Sequence, residues 1–176
     1  ELAFGLILSL DRRIPDNVAD LRAGTWNKKE YSKARGLHGQ TLGVLGAGSI
    51  ACELIKRAAA FGMPVVIWSR RFAGQDRPLS TAESAGLGLE LAQKQVAIHL
   101  SPTPEAVADR ADVLSVHLAL SADTRGLVGA SVLSRLRPGS TVINTARGEV
   151  MDHAALRAAI AAKKPGSTTV SASTTM

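Results

Sequence analysis

The stretch GVLGAGSIACELIKRAAAFG, residues 43–62, restricts more than any other what this chain can fold into. A short apolar run beginning at Thr41 enters a glycine turn, and an Ala-rich run of helical character leaves it and stops at Gly62. A second apolar run, VVIWS at 65–69, follows at once. Strand, turn, helix and strand in that order form a parallel pair with a crossover. Gly46, Gly48 and Ala51 have the G-x-G-x-x-G/A spacing of a dinucleotide-binding turn. The first Gly permits the tight turn, the second lets backbone approach a pyrophosphate, and the third small residue lets helix and strand pack closely. A helix starting near Ser49 aims its free N–H groups and positive dipole end at such a phosphate. A purely structural turn has the same spacing, but the flanking strands and helix supply the context the dinucleotide reading requires.

The rest of the chain repeats the alternation. VAIHL (96–100), DVLSVHL (112–118) and STVINT (140–145) read as strands. PTPEAVADR reads as a helix capped by Ser101 or Thr103, and Asp152 caps a final helix, HAALRAAIAAK. Apolar residues make up 45% of the 176, which excludes bulk disorder; aromatics are only 3%, so the core must be Ala, Val, Leu and Ile. That composition suits buried parallel strands under Ala-rich helices. The expected architecture is α/β, a Rossmann-type doubly wound parallel sheet over 41–163. Before it, Leu2, Leu6, Leu10, Ile14, Val18 and Leu21 predict a helix with one buried stripe, kinked or split at Pro15 and ended by Gly24. Residues 25–39 read as a polar connecting arm, so 1–40 form the helix-and-arm portion of the same domain. Residues 72–95 give no clear pattern, and the Ser/Thr-rich tail 164–176 is expected to be disordered or foreign.

Charge and cysteine usage exclude several classes. Lys and Arg number 21 against 15 Asp and Glu, a net +6. The cations are scattered with no aromatic interleaving, so nucleic acid is not an expected partner, whereas an anionic cofactor or acid substrate accounts for the excess. Cys52 is the sole cysteine, which excludes an internal disulfide and a multi-cysteine metal site, and it reads as a packing residue. The longest apolar run, Leu2–Leu10, is too short for a bilayer and lacks a basic leader; no membrane partner is expected, and the setting reads as cytoplasmic.

The end of the second strand bears on the cofactor. NAD-binding domains usually place Asp or Glu there for the ribose hydroxyls. This chain has Ser69, Arg70 and Arg71, which favour the 2′-phosphate of NADP over NAD, unless the two arginines are merely solvated surface.

Three segments, GLHGQTLGVLGAGSIA (36–51), ADVLSVHLALSADTRGLVG (111–129) and LRPGSTVINTARGEVMD (136–152), resemble the signatures of the D-isomer-specific 2-hydroxyacid dehydrogenases. The closest likeness is to the D-3-phosphoglycerate dehydrogenase and the glyoxylate/hydroxypyruvate reductase branches. The resemblance implies that Arg147 is the catalytic arginine that grips the substrate carboxylate, a role its bidentate fork suits. The reading of Arg147 as one half of a structural salt bridge stands beside it. The resemblance further implies that Ser49 and Ile50 meet the pyrophosphate. It sets Leu118, Thr145 and Ala146 along the nicotinamide, with His117 a wall residue and not the proton donor, and Asn144 ordering its loop. His38, His99 and His153 match no motif and are expected at the surface or a helix start.

Two departures from the family pattern stand out. Ala119 replaces a usual proline, which is expected to loosen its loop. The family's proton-donating His and its Glu lie beyond the last helix, where this chain has PGSTTVSASTTM. The substrate domain, built mostly from the segment upstream, is also missing. The chain therefore reads as the nucleotide-binding portion of a longer enzyme, inactive alone, with a tail from truncation, frameshift or an artificial scar. The implied activity is NAD(P)-dependent hydride exchange with a small D-2-hydroxy or 2-oxo acid of the phosphoglycerate, hydroxypyruvate or glyoxylate type. A non-catalytic NAD(H)-sensing, corepressor-like module shares the fold and motifs, and a methyl-donor enzyme shares the glycine turn. The first helix and the arm around Trp26 resemble the part of the family that crosses to a partner, implying a homodimer, although Trp26 covering the helix end is the simpler reading.

Overall fold

The computed structural model describes residues 1–162 and, as backbone, 169–171. Helices α1 (Leu2–Asp11), α2 (Ile14–Arg22) and the one-turn α3 (Lys28–Tyr31) lead to strand β1 (Leu42–Leu45). Then come α4 (Ser49–Ala60), β2 (Val65–Trp68), a 3₁₀ turn at Arg70–Phe72 and the two-residue β3 (Arg77–Pro78). Next are α5 (Thr81–Leu87), α6 (Glu90–Gln95), β4 (Ile98–Leu100), α7 (Pro104–Arg110), β5 (Val113–Val116), α8 (Ala130–Leu133) and β6 (Thr141–Asn144). A second 3₁₀ turn at Gly148–Val150, α9 (His153–Ala162) and β7 (Thr169–Ser171) complete the described residues.

The strands form one sheet in the order β3-β4-β2-β1-β5-β6-β7, parallel throughout except for the short antiparallel β3. Side-chain alternation divides the core between the two faces. Leu42, Val44, Val65, Ile67, Val113 and Ile143 pack with α1 and α4. Leu45, Val66, Trp68, Leu114, Val116 and Val142 pack with α7, α8 and α9. The expected doubly wound parallel sheet is present. Strands buried on both faces need unbroken apolar runs, and β1, β2 and β5 are buried at every position. No helix among the described residues is long and apolar enough to cross a membrane.

Four differences from expectation have physical causes. The predicted stripe on the first helix is only partly the buried face: Leu6 and Leu10 are partly buried against the core, but Ala3, Phe4 and Ile7 enter it most deeply, while Leu2, Ile14, Val18 and Leu21 are between 38% and 57% exposed. Residues 2–10 are apolar nearly all round, so periodicity alone cannot select a face. The helix breaks at Arg12–Arg13, where Arg13 has a φ of 50°, and not at Pro15, which sits in the first turn of α2, where proline loses no helical hydrogen bond. Gly24, at φ 78°, ends α2 as expected: the Thr25 amide donates to the Asp20 carbonyl and the Gly24 amide to that of Leu21. The unreadable 72–95 holds β3, α5 and α6, and α5 opens on a capping box between Ser80 and Glu83. Of the tail expected to lack structure, Thr169–Ser171 pair in parallel with β6; 163–168 and 172–176 lie outside the described residues.

The caps read from sequence resolve cleanly. Thr103 caps α7, its hydroxyl accepting from the Ala106 amide at 3.1 Å, and Asp152 caps α9 through the Ala154 and Ala155 amides. Gly43 explains how β1 and α7 approach so closely. A Cβ there would lie 2.7 Å from Ala111 Cβ and 2.8 Å from Val107 Cγ1. Gly43→Ala should therefore destabilise the chain by about 1–3 kcal/mol through overpacking. Urea unfolding of the two proteins checks this, and an unchanged midpoint would show that α7 moves aside freely.

Candidate functional site

The sheet order reverses at β1, which has β2 on one side and β5 on the other. In open α/β sheets the crevice at the carboxyl ends of two such strands is where ligands lie. Gly46 makes that crevice possible. Its φ is 113°, and a Cβ on it would collide with the His117 carbonyl, whose carbon would be 2.9 Å away. Without that atom the turn stays close: the Gly46 amide donates to the Trp68 carbonyl at 2.7 Å, and the His117 amide to the Leu45 carbonyl at 2.8 Å.

Gly48 differs in kind. Its φ of −79° suits any residue, and a Cβ would meet nothing within 4 Å. Neither backbone strain nor internal packing accounts for glycine here. Gly48 lines a cavity of about 490 Å³, within the range of small-molecule sites. Gly48 is also the N-cap of α4 and offers no side chain, so the leading amides have no side-chain cap. Ser49 and Ile50 are exposed at the mouth, while Ala51, 1% exposed, lets α4 pack against the sheet.

The opposite wall comes from the ends of β5 and β6. His117, Leu118, Thr145, Ala146 and Arg147 all line the same cavity as Gly48, Ser49 and Ile50. Arg147 is exposed, and its guanidinium donates only to the Ala146 carbonyl, at 2.9 Å. Among the described residues no carboxylate lies within ion-pairing distance of it, so the salt-bridge reading of Arg147 finds no partner. Asn144 is fully buried and fixes the loop that presents Arg147: its Nδ2 donates to the Arg147 carbonyl and its Oδ1 accepts from the Ala146 amide. His117 lies 2.8 Å from the Ser115 hydroxyl, and burial pushes its pKa down from 6.5 to about 4. The imidazole is thus neutral at ordinary pH and has no proton to release as an acid near neutrality.

The loop after β5 is firmer than Ala119 suggested. Thr124, buried at 2% exposure, donates from its hydroxyl to the Ala119 carbonyl at 2.7 Å and accepts from the Ser121 amide at 2.8 Å. That side chain clamps the turn between Ala119 and Thr124. It was missed in the sequence because a Thr in ADTRG looks like any turn residue; its spacing three after Ser121 was the available signal.

Ser69, Arg70 and Arg71 lie outside this cavity, beyond β1 at the end of β2. Ser69 is 8% exposed and its buried hydroxyl has no hydrogen-bond partner. The Arg71 guanidinium lies 5.2 Å from the Phe72 ring centre, and Arg70 reaches Asp123 at 3.4 Å. Elsewhere, His38 and His153 are exposed as expected. His99 departs from expectation: it is half-buried on β4, with Arg110 at 3.1 Å and Asp76 at 3.5 Å. Cys52 is buried, and burial pushes its thiol pKa up, consistent with packing.

Comparison with known proteins gives this geometry a family context. The family model of the NAD binding domain of D-isomer specific 2-hydroxyacid dehydrogenases matches residues 4–169. A D-3-phosphoglycerate dehydrogenase of Mycobacterium tuberculosis is 36% identical over 160 residues, covering 91% of this chain and 27% of the relative. A glyoxylate reductase of Thermococcus litoralis is 33% identical over 162 residues, covering 89% of this chain and 44% of the relative. A solved structure of a D-3-phosphoglycerate dehydrogenase from Ralstonia solanacearum superposes with a TM-score of 0.76 at 28% identity, covering 99% of this chain and 49% of that one. The chain thus spans between about a quarter and a half of the length of these relatives.

The depressed His117 pKa has a consequence for stability. The unfolded chain binds this proton near pH 6.5 and the folded chain only near pH 4. Stability from this group is therefore full above pH 6.5 and falls by up to about 3 kcal/mol as pH drops to 4. His117→Asn should flatten that part of the acid limb relative to wild type, as measured by urea unfolding between pH 4 and 7. Identical pH slopes would place the histidine in water.

Proposed function

Since this chain belongs to the D-isomer-specific 2-hydroxyacid dehydrogenases through their NAD binding domain, we propose that it holds a nicotinamide dinucleotide and the carboxylate of a small D-2-hydroxy or 2-oxo acid. The observation that carries this reading is the cavity itself, which joins a guanidinium with no carboxylate partner among the described residues to a glycine where a Cβ would meet nothing within 4 Å. Gly46 and Gly48 with the leading amides of α4 would hold the diphosphate. The dinucleotide supplies hydride exchange with the acid's C2. Arg147 grips the carboxylate with its planar fork, on a loop that Asn144 keeps in place. His117, Leu118, Thr145 and Ala146 wall the ring end and exclude water. Acids of the phosphoglycerate, hydroxypyruvate and glyoxylate type fit this arrangement and share the carboxylate it grips.

The adenosine end favours NADP. No carboxylate terminates β2; the buried Ser69 hydroxyl lacks a partner, and Arg70 and Arg71 follow it. A 2′-phosphate pairs with the exposed guanidinium groups of Arg70 and Arg71, whereas an acidic residue at this point would repel it.

Proton delivery is the step this cavity does not provide. Reduction of the carbonyl needs a proton at its oxygen. Arg147 does not release one, and His117, neutral above about pH 4, has none to spare at neutral pH. The chain is therefore a binding unit without turnover of its own. Calorimetric titration should show NADPH binding that Gly48→Ala weakens about tenfold or more while the melting temperature holds, since the added methyl fills ligand space and not protein space. With NADPH present, Arg147→Gln should weaken glyoxylate or hydroxypyruvate by about 10–150-fold. Steady NADPH oxidation by the wild-type chain, or full binding by Gly48→Ala, would overturn the assignment.

The exposed apolar residues of α1 and α2, with Trp26 at 77% exposure, support a homodimer formed through this face. Trp26 leaves the helix end uncovered, contrary to the simpler reading. Sedimentation should give a dimer that Leu21→Asp converts to monomer; a monomeric wild type would rule the interface out.

A further inference from the structure

Arg70 and Asp123 come from opposite flanks of the crevice. Arg70 follows β2, Asp123 lies in the loop after β5, and β1 with its glycine turn runs between them. Their 3.4 Å contact thus spans the carboxyl end of β1. The acidic partner is not on a loose excursion. Thr124, its neighbour, is the buried clamp that ties the loop to Ala119, and the Gly126 amide donates to the Glu149 carbonyl at 2.8 Å. Ala119 and Leu120 of the same loop line the cavity that Arg147 faces. One short segment therefore walls the ring end of the crevice and also sends a carboxylate to the arginine at the adenosine end.

We propose that Asp123 is a specificity-determining residue that acts through Arg70, as an internal anion competing with the ligand's 2′-phosphate for the same guanidinium. This rests on the reading of Ser69, Arg70 and Arg71 as the 2′-phosphate end. Before ligand arrives, Asp123 neutralises one of two adjacent arginines that would otherwise repel each other. A 2′-phosphate carries more charge than one carboxylate and displaces it; an unphosphorylated ribose gives Arg70 no reason to leave. Arg71, which has no carboxylate within ion-pairing distance among the described residues, stays available to either ligand. Both members of the pair are well exposed, 67% and 76% at the side chain, so the contact is weak enough to exchange with a ligand and sensitive to salt.

The test is calorimetric titration of the wild-type chain and Asp123→Asn with NADPH, NADH, 2′,5′-ADP and 5′-AMP at low salt. Asp123 is exposed, so the asparagine does not put folding at stake. Asp123→Asn should tighten NADPH and 2′,5′-ADP by about two- to fivefold and leave NADH and 5′-AMP unchanged. The gain should vanish in an Arg70→Ala background and shrink in 0.5 M salt. Equal changes for phosphorylated and unphosphorylated ligands would make the pair a simple strap over the crevice and overturn the proposal, as would no change at all. If instead the wild type binds NADH as tightly as NADPH and Arg70→Ala alters neither, the 2′-phosphate reading itself fails.

Discussion

The absence of one side chain at Gly46 holds the crevice together. β1 ends against the His117 carbonyl so closely that no Cβ fits, and the φ of 113° is one that L side chains avoid. Only under those two conditions can the Leu45 carbonyl hold the His117 amide while the next residue's amide holds Trp68. The ends of β1, β2 and β5 are thereby tied together, and α4 starts directly after that tie without a side-chain cap. The cavity, the placement of Arg147 and the span from Arg70 to Asp123 all presuppose that lock.

Gly46 and Gly48 share a motif but answer to different demands. Gly46 is required by the fold, since its clash is with the chain's own backbone. Gly48 meets no such clash among the described residues, and it lines the cavity. A purely structural turn needs the first glycine and has no use for the second. The pair thus separates two readings that their spacing in the sequence left open, and favours the ligand-binding one.

The sheet and its turn were legible because each relies on local rules: unbroken apolar runs for strands buried twice, glycine where φ is positive, Thr103 and Asp152 where helices begin. What was not legible depends on contacts distant in sequence. Which face of α1 is buried is decided by α4 and the sheet, since residues 2–10 carry apolar groups in every direction. β3 is two residues long and exists only because β4 offers it an edge, so no periodicity announces it. Thr124 looked like an ordinary turn residue until its hydroxyl was seen on the Ala119 carbonyl. Arg147 was found by its motif, but that it has no acidic partner among the described residues is a property of the whole surface around it.

Burial sorts the polar groups of this crevice by what they can do. Asn144 has no exposure and both of its amide atoms are engaged, so it fixes backbone and is unavailable to a ligand. His117 is buried enough to lose its charge, which disqualifies it as an acid near neutrality. Arg147 is exposed and has no carboxylate within ion-pairing distance among the described residues, so a carboxylate that displaces water from it gains two charge-assisted hydrogen bonds. Ser69 is the inverse case, a buried hydroxyl with nothing to bond. Leaving such a group unpaired costs about 1–3 kcal/mol, and because its oxygen is closed off, the exposed polar groups at this end of β2 are Arg70 and Arg71.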